Sequence, residues 1–244
     1  MTKVFCTRLL TDEDRNAALR LGLEIVCKSF IRTVPVELQD YQKTLMEEEL
    51  QQPNQILLFT SKNAVRFAVE KYLQFFQEDF REKWQYYSLS GATKKELLKH
   101  INSNQIIASA DNADDLIHVI KENLPENKVY FFCSNERRDT LPLFFKKHLI
   151  PFREWIIYKT VATPQKIQER FSAYLFFSPS AVDSFFSVNK IESHIPCYAI
   201  GGTTASSLKQ RITNPVFASP KPVIGQLLKI LSDNLKSENG ILKK

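Results

Sequence analysis

Four blocks from the middle of this 244-residue chain recur near its end in the same order. Such self-similarity restricts the fold to repeated supersecondary units. The stretch Leu57-Leu58-Phe59-Thr60-Ser61-Lys62-Asn63-Ala64-Val65 has its counterpart in Tyr174-Leu175-Phe176-Phe177-Ser178-Pro179-Ser180-Ala181-Val182. Each reads as an apolar strand, a serine turn and a helix. The segment from Tyr87 to Leu97 is matched by Tyr198 to Leu208, a short strand that turns through glycine into a helix. Ile107-Ala108-Ser109 and Glu122-Asn123-Leu124 are matched by Phe217-Ala218-Ser219 and Asp233-Asn234-Leu235. Thr93 and Thr204 are separated along the chain by the same distance as Glu122 and Asp233, so the register holds across blocks. A fainter match joins the opening unit, Lys3-Val4-Phe5 with a helix to Leu21 and a strand around Ile25-Val26, to Lys128-Val129-Tyr130, its helix and Trp155-Ile156-Ile157.

Short apolar strands alternating with helices give parallel sheets covered on both faces, because parallel neighbours need crossover connections. The expected fold class is therefore α/β, with two doubly wound parallel-sheet lobes produced by an internal duplication. Extended segments at Phe30 to Val36 and Arg153 to Val161 read as crossings between the lobes. They make one lobe discontinuous: residues 1–31 plus 160–244 form one, residues 36–152 the other, and residues 32–35 and 153–159 a two-stranded β-ladder joining them. A ligand cleft with hinge motion is expected between two such lobes. The polar tail from Lys236 to Lys244 is expected to fray.

Composition removes whole classes of function. A hydrophobic content of 43% with 25% charged residues describes a globular chain. The start, Met1 to Arg8, has no apolar run of signal-peptide type, and runs such as Ile56 to Phe59 and Ala173 to Phe177 are far shorter than the ~20 residues that cross a bilayer. No membrane association is expected. Four cysteines without a CxxC pair and four histidines standing singly point to reduced thiols, a cytoplasmic setting and no metal. The absence of GxGxxG, Walker, GxSxG and HExxH patterns argues against dinucleotide or ATP binding and against covalent or metal-assisted hydrolysis. No cofactor is expected. The net charge of +6 favours an anionic partner. Lysine and arginine are dispersed and form no stripe interleaved with aromatics, so an acidic small molecule is expected and nucleic acid is not.

In open α/β sheets ligands bind beyond the carboxyl ends of the strands, where helix N-termini present unpaired N–H groups. The turns expected there carry Thr60, Ser61, Asn63, Ser90, Thr93, Ser134, Ser178, Ser180, Thr203 and Thr204. Any one of these hydroxyls is adequately explained as a helix cap; their number at equivalent strand ends suits a ligand rich in carboxylates. Gly91, Gly201 and Gly202 cluster at the repeated glycine turn although the chain has only six glycines. Arg8 follows the first strand, and Arg137 and Arg138 follow the strand from Tyr130 to Cys133, both facing such a crevice or simply solvated. Tyr158 lies in the returning connector, where it is a cleft residue or a structural one.

Taken in order, Phe59-Thr60-Ser61 with Asn63-Ala64-Val65, Ile157-Tyr158-Lys159-Thr160, Phe177-Ser178-Pro179-Ser180, Ala199-Ile200-Gly201-Gly202-Thr203-Thr204-Ala205 and Ala218-Ser219-Pro220 resemble the uroporphyrinogen-III synthase family over nearly the whole chain. That family usually has Gly-Pro or Gly-x-Thr-Thr at the glycine turn; Gly202 before Thr203-Thr204 is an acceptable variant, while Ser90-Gly91-Ala92-Thr93 departs further. The resemblance implies two α/β lobes joined by a two-stranded ladder. It implies a lyase of haem biosynthesis that cyclises hydroxymethylbilane, which carries eight carboxylates, to uroporphyrinogen III with inversion of ring D and loss of water. It also implies no cofactor; a monomer is expected. Tyr158 becomes the general acid, with Thr204 and Ser178 orienting the substrate. Arg8, Thr60, Ser61, Asn63, Ser90, Thr93, Ser134, Arg138, Ser180, Gly202 and Thr203 complete the expected binding set. A two-lobed binder that closes on an anion without chemistry is the competing expectation.

Overall fold

The computed structural model describes residues 1–52 and 54–241. The chain begins with β1 (Thr2–Cys6), α1 (Asp12–Arg20), β2 (Leu23–Cys27) and β3 (Ile31–Pro35). Next come α2 (Asp40–Leu50), β4 (Ile56–Phe59), α3 (Lys62–Lys71), α4 (Glu78–Arg81), β5 (Gln85–Leu89), α5 (Ala92–Leu97), β6 (Ile106–Ala110) and α6 (Ala113–Glu122). The second half holds β7 (Val129–Ser134), α7 (Thr140–Lys147), β8 (Phe152–Ala162), β9 (Ala173–Phe176), α8 (Pro179–Phe186), β10 (Cys197–Ala199), α9 (Gly202–Lys209), β11 (Val216–Ala218) and α10 (Ile224–Ile241). The tail expected to fray from Lys236 instead continues α10 to Ile241; residues 242–244 lie outside the described residues.

Two compact units result: unit 1 is Met1–Arg32 with Val161–Lys244, and unit 2 is Thr33–Thr160. The chain leaves unit 1 within β3 and returns within β8, which are neighbours in one sheet.

Unit 1 carries a sheet in the order β11-β10-β9-β1-β2 with parallel pairing throughout. The sheet of unit 2 runs β3-β8-β7-β4-β5-β6, and the five strands from β8 to β6 are likewise parallel. Read as β6-β5-β4-β7-β8, this sheet follows the same winding as the other, repeat partner for repeat partner. The central strands show why. Each residue of β4 (ILLF), β9 (AYLF) and β7 (VYFFCS) is buried, the pattern of a strand packed on both faces.

Alternation then sorts the side chains. Leu57, Phe59, Tyr130 and Phe132 point to a core shared with Val65, Phe67 and Ala68 of α3. Ile56, Leu58, Phe131 and Cys133 point to the opposite core, against Leu116 and Ile120 of α6 and Phe144 and Phe145 of α7. In unit 1, Phe5, Tyr174 and Phe176 meet Val182 and Phe185 of α8. On the other face Val4, Cys6, Leu175 and Tyr198 meet Ala18 of α1 and Leu227, Leu228 and Leu231 of α10. Each sheet is thus wound on both sides.

Candidate functional site

Parallel winding places every strand-to-helix turn at the carboxyl edge of its sheet, and it places one crevice where the winding changes direction. In unit 2 that point lies between β4 and β7; in unit 1 it lies between β1 and β9. At the ends of those four strands lie Thr60 and Ser61 after β4, Ser134 as the last residue of β7, Thr7 and Arg8 after β1, and Phe177 and Ser178 after β9.

Ser61 starts α3 as its N-cap, its Oγ accepting the Ala64 N–H at 3.0 Å. The same oxygen lies 2.8 Å from Tyr158 Oη. Tyr158 reaches it through an irregularity in β8. Cys133 pairs with Ile156, but Ser134 pairs with Tyr158, skipping Ile157. Such a bulge re-aims side chains. Trp155 and Ile157 point into the α3-side core as alternation requires, Ile156 is exposed, and Tyr158 is turned into that same core beside its neighbour Ile157. Its ring stacks on Phe67 with centroids 5.7 Å apart at 28°, and the residue is only 7% exposed. Ser61 has one proton and spare lone pairs. When it donates to Tyr158 Oη, the phenol proton is free for a third partner.

Ser134, at the end of β7, is buried and accepts the Glu136 N–H at 3.2 Å. Thr60 and Asn63 are partly exposed beside Ser61. The two arginines after β7 have different surroundings. Arg137 donates to both carboxylate oxygens of Glu154, through Nε to Oε1 and through Nη2 to Oε2 at 2.8 Å, and from Nη1 to Asp139 at 2.6 Å. Its guanidinium is held charged by that pairing, foremost the hydrogen bond to Glu154. Arg138 is exposed.

The glycine turn of unit 2 departs from its repeat in backbone as well as sequence. Gly91 caps α5 with φ of 64°, whereas Gly201 caps α9 with extended backbone at φ of −175°. Ser90 Oγ donates to Asp111 Oδ1, and Thr93 is buried. The Ser90 hydroxyl is therefore committed to a carboxylate of its own chain.

In unit 1, Ser178 caps α8 by accepting the Ala181 N–H at 3.1 Å, with Pro179 in the first helical turn. Ser180 is partly exposed one residue further on. Arg8 is exposed and lays its guanidinium over the Phe177 ring at 4.1 Å, bridging the two sides of the winding change. Thr7 beneath it is fully buried, its Oγ1 donating to Leu175 C=O at 3.0 Å. Gly202 and Thr203 are exposed at the start of α9, but Thr204 is 3% exposed. The hydroxyl open to solvent at this turn is that of Thr203.

Within unit 2 the structure gathers Ser61, Ser134 and Tyr158 at the carboxyl ends of β4 and β7; within unit 1 it gathers Arg8 and Ser178 at those of β1 and β9. Phe67, Phe177, Glu154 and Asp111 escaped the sequence reading. Phe67 had a signal: with Ala64, Val65 and Ala68 it forms the apolar stripe of α3. The others are set by register between elements distant in sequence.

Among the described residues no helix is long and apolar enough to cross a membrane, and no cluster of three or more His, Cys, Asp or Glu side chains is arranged to hold a metal ion. Curated protein sequences gave no match. Among solved structures the chain resembles the uroporphyrinogen-III synthetase of Helicobacter pylori, with 18% identity, coverage of 96% of this chain and 99% of that one, and a TM-score of 0.68. It also resembles a mutant uroporphyrinogen III synthase of Thermus thermophilus, with 16% identity, coverage of 97% and 100%, and a TM-score of 0.64. Those likenesses establish the mixed α/β fold with parallel sheets. The family model described as uroporphyrinogen-III synthase HemD matches residues 12–229, most of the chain, and the chain accordingly belongs to the uroporphyrinogen-III synthase HemD family of haem biosynthesis.

Proposed function

We propose that this protein is a cofactor-free lyase that cyclises hydroxymethylbilane to uroporphyrinogen III, with Tyr158 as its general acid. The observation that carries the residue assignment is the 2.8 Å contact between Tyr158 Oη and Ser61 Oγ at the head of α3. Ser61 is anchored by the Ala64 N–H and fixes the phenol; the phenol proton goes to the departing hydroxyl of the bilane, which leaves as water. The resulting azafulvene cation is attacked by the substituted carbon of ring D, and the spiro intermediate fragments and recloses with ring D inverted. Closure releases one proton, equal to the one Tyr158 supplied, so the net change is loss of one water.

The bilane closes unaided to the unrearranged isomer, so the protein's main contribution is to hold the chain folded with the substituted carbon in reach. The binding set comprises Arg8, Thr60, Ser61, Asn63, Ser90, Thr93, Ser134, Arg138, Ser178, Ser180, Gly202, Thr203 and Thr204. In it, exposed Arg8 and Arg138 supply charge to the carboxylates. The heads of α8 and α9 supply N–H donors, and at Ser90, whose hydroxyl is taken by Asp111, and at the buried Thr93 and Thr204 the backbone faces the ligand. We read the protein as a cytoplasmic monomer with no nucleic-acid partner.

The test is to supply hydroxymethylbilane generated in situ and to resolve the oxidised uroporphyrin isomers by chromatography. A dominant type III isomer is expected; the type I isomer alone overturns the reading and leaves a binder without chemistry. Tyr158→Phe is expected to lower turnover about 10- to 100-fold, reaching no further than the low end for a general acid, because a phenol is a weak one. Unchanged turnover in that variant removes Tyr158 from the role.

A further inference from the structure

Two of the four cysteines meet at the carboxyl edge of the unit 1 sheet. Cys6 ends β1 and Cys27 ends β2, and the two are direct partners in the parallel register. Neighbouring strands lie about 4.8 Å apart, inside the Cα window of about 4.4–6.8 Å that a disulfide spans. Their side chains share the face of the sheet that packs against α1 and α10. The Cys6 thiol, fully buried, donates to the Arg8 carbonyl oxygen at 3.0 Å.

Cys27 is partly exposed. A hydrogen bond from Cys6, another from the Leu10 backbone N–H, and the charges of Arg15 and Arg8 lower its pKa to about 6, against the opposing effect of partial burial. The remaining cysteines have the opposite surroundings: Cys133 and Cys197 are buried, and burial pushes each thiol up to about 12. A partly exposed thiolate beside arginines, backed by a buried second thiol, is the arrangement of a redox-reactive cysteine with its resolving partner.

We propose that Cys6 and Cys27 form a peroxide-responsive dithiol, with Cys27 as the attacking thiolate and Cys6 as the resolving thiol. The Cys27 thiolate attacks one oxygen of hydrogen peroxide, the O–O bond breaks, and Cys27 becomes a sulfenic acid while hydroxide leaves and takes up a proton. Cys6 sulfur then attacks Cys27 sulfur; the sulfenic hydroxyl departs with the Cys6 proton as water, and the S–S bond forms. Overall two thiols and one peroxide give one disulfide and two waters. Oxidation also removes the donor to Arg8 C=O, so the turn that carries the exposed guanidinium loses a tether.

The reduced full-length protein is treated with one equivalent of hydrogen peroxide, blocked with an alkylating agent in denaturant, and mapped by non-reducing proteolysis and mass spectrometry. The expected result is one linked peptide pair containing Cys6 and Cys27, with Cys133 and Cys197 recovered as thiols and full reversal by dithiothreitol. Cys27→Ser, a change at a partly exposed position, abolishes the link. In Cys6→Ala, one equivalent leaves Cys27 as a sulfenic acid, captured with dimedone, without a link. Before oxidation, native Cys27 is expected to alkylate at least about tenfold faster than Cys133 or Cys197, from its larger thiolate fraction. Recovery of Cys6 as a free thiol while Cys27 is oxidised, or a Cys27–Cys27 link between two chains, overturns the proposal.

Discussion

The Ser61 hydroxyl serves two partners, and removing it produces an effect whose sign can be worked out in advance. Ser61→Ala deletes the cap on Ala64 N–H, at a cost of about 1 kcal/mol. It also leaves the Tyr158 hydroxyl without its 2.8 Å partner on a residue only 7% exposed, at a further ~1–3 kcal/mol for a stranded polar group. The single variant should therefore lose about 2–4 kcal/mol. Tyr158→Phe leaves Ser61 capping α3 and removes a satisfied pair on one side only, for about 0.5–1.5 kcal/mol. Placed on the Ser61→Ala background, however, Tyr158→Phe removes the stranded hydroxyl itself and should be neutral or stabilising. Both tryptophans, Trp84 and Trp155, lie in unit 2, so fluorescence followed through urea reports on the unit that contains this pair. A cost for Tyr158→Phe that is the same in both backgrounds would refute the coupling, and with it the idea that Ser61 fixes the phenol.

Three further outcomes follow from packing, backbone and charge. Phe185 touches Phe30, Phe186 and Phe176 with ring centroids 5.1, 5.0 and 5.3 Å away, so Phe185→Ala should cost about 3–5 kcal/mol, read from far-UV dichroism in urea. Gly91→Ala should destabilise by about 1 kcal/mol or more because φ is 64°, whereas Gly201→Ala, extended and with open space where a Cβ would go, should change the melting temperature little. Cys27 loses its thiolate as pH falls through about 6. Its alkylation rate should be flat above that pH and fall tenfold per unit well below it, with Cys6, Arg8 and Arg15 the ionisable groups around it. A midpoint near the ordinary thiol value of about 8.5 would show that those neighbours do not hold the thiolate.

The repeated blocks of strand, turn and helix were legible from residues 57–65 and 174–182 because buried parallel strands leave a continuous apolar run that survives in one dimension. The capping serines were legible for a similar reason: Ser61 and Ser178 each act on an N–H three residues away. The site was legible only in part. That Tyr158 meets Ser61 depends on a bulge in β8 and on the register with β7. That Arg137 is tied to Glu154 while Arg138 is exposed, and that Thr204 is buried while Thr203 is open, depend on which way a turn rotates each side chain.

By itself, then, the sequence determined the α/β class, the order of units and the turns at which chemistry can sit, since these follow from local periodicity and capping over a few residues. Only the tertiary structure decided which hydroxyls and charges at those turns are engaged, and which cysteines are neighbours, because strand register and winding bring Ser61 to Tyr158 and Cys6 to Cys27.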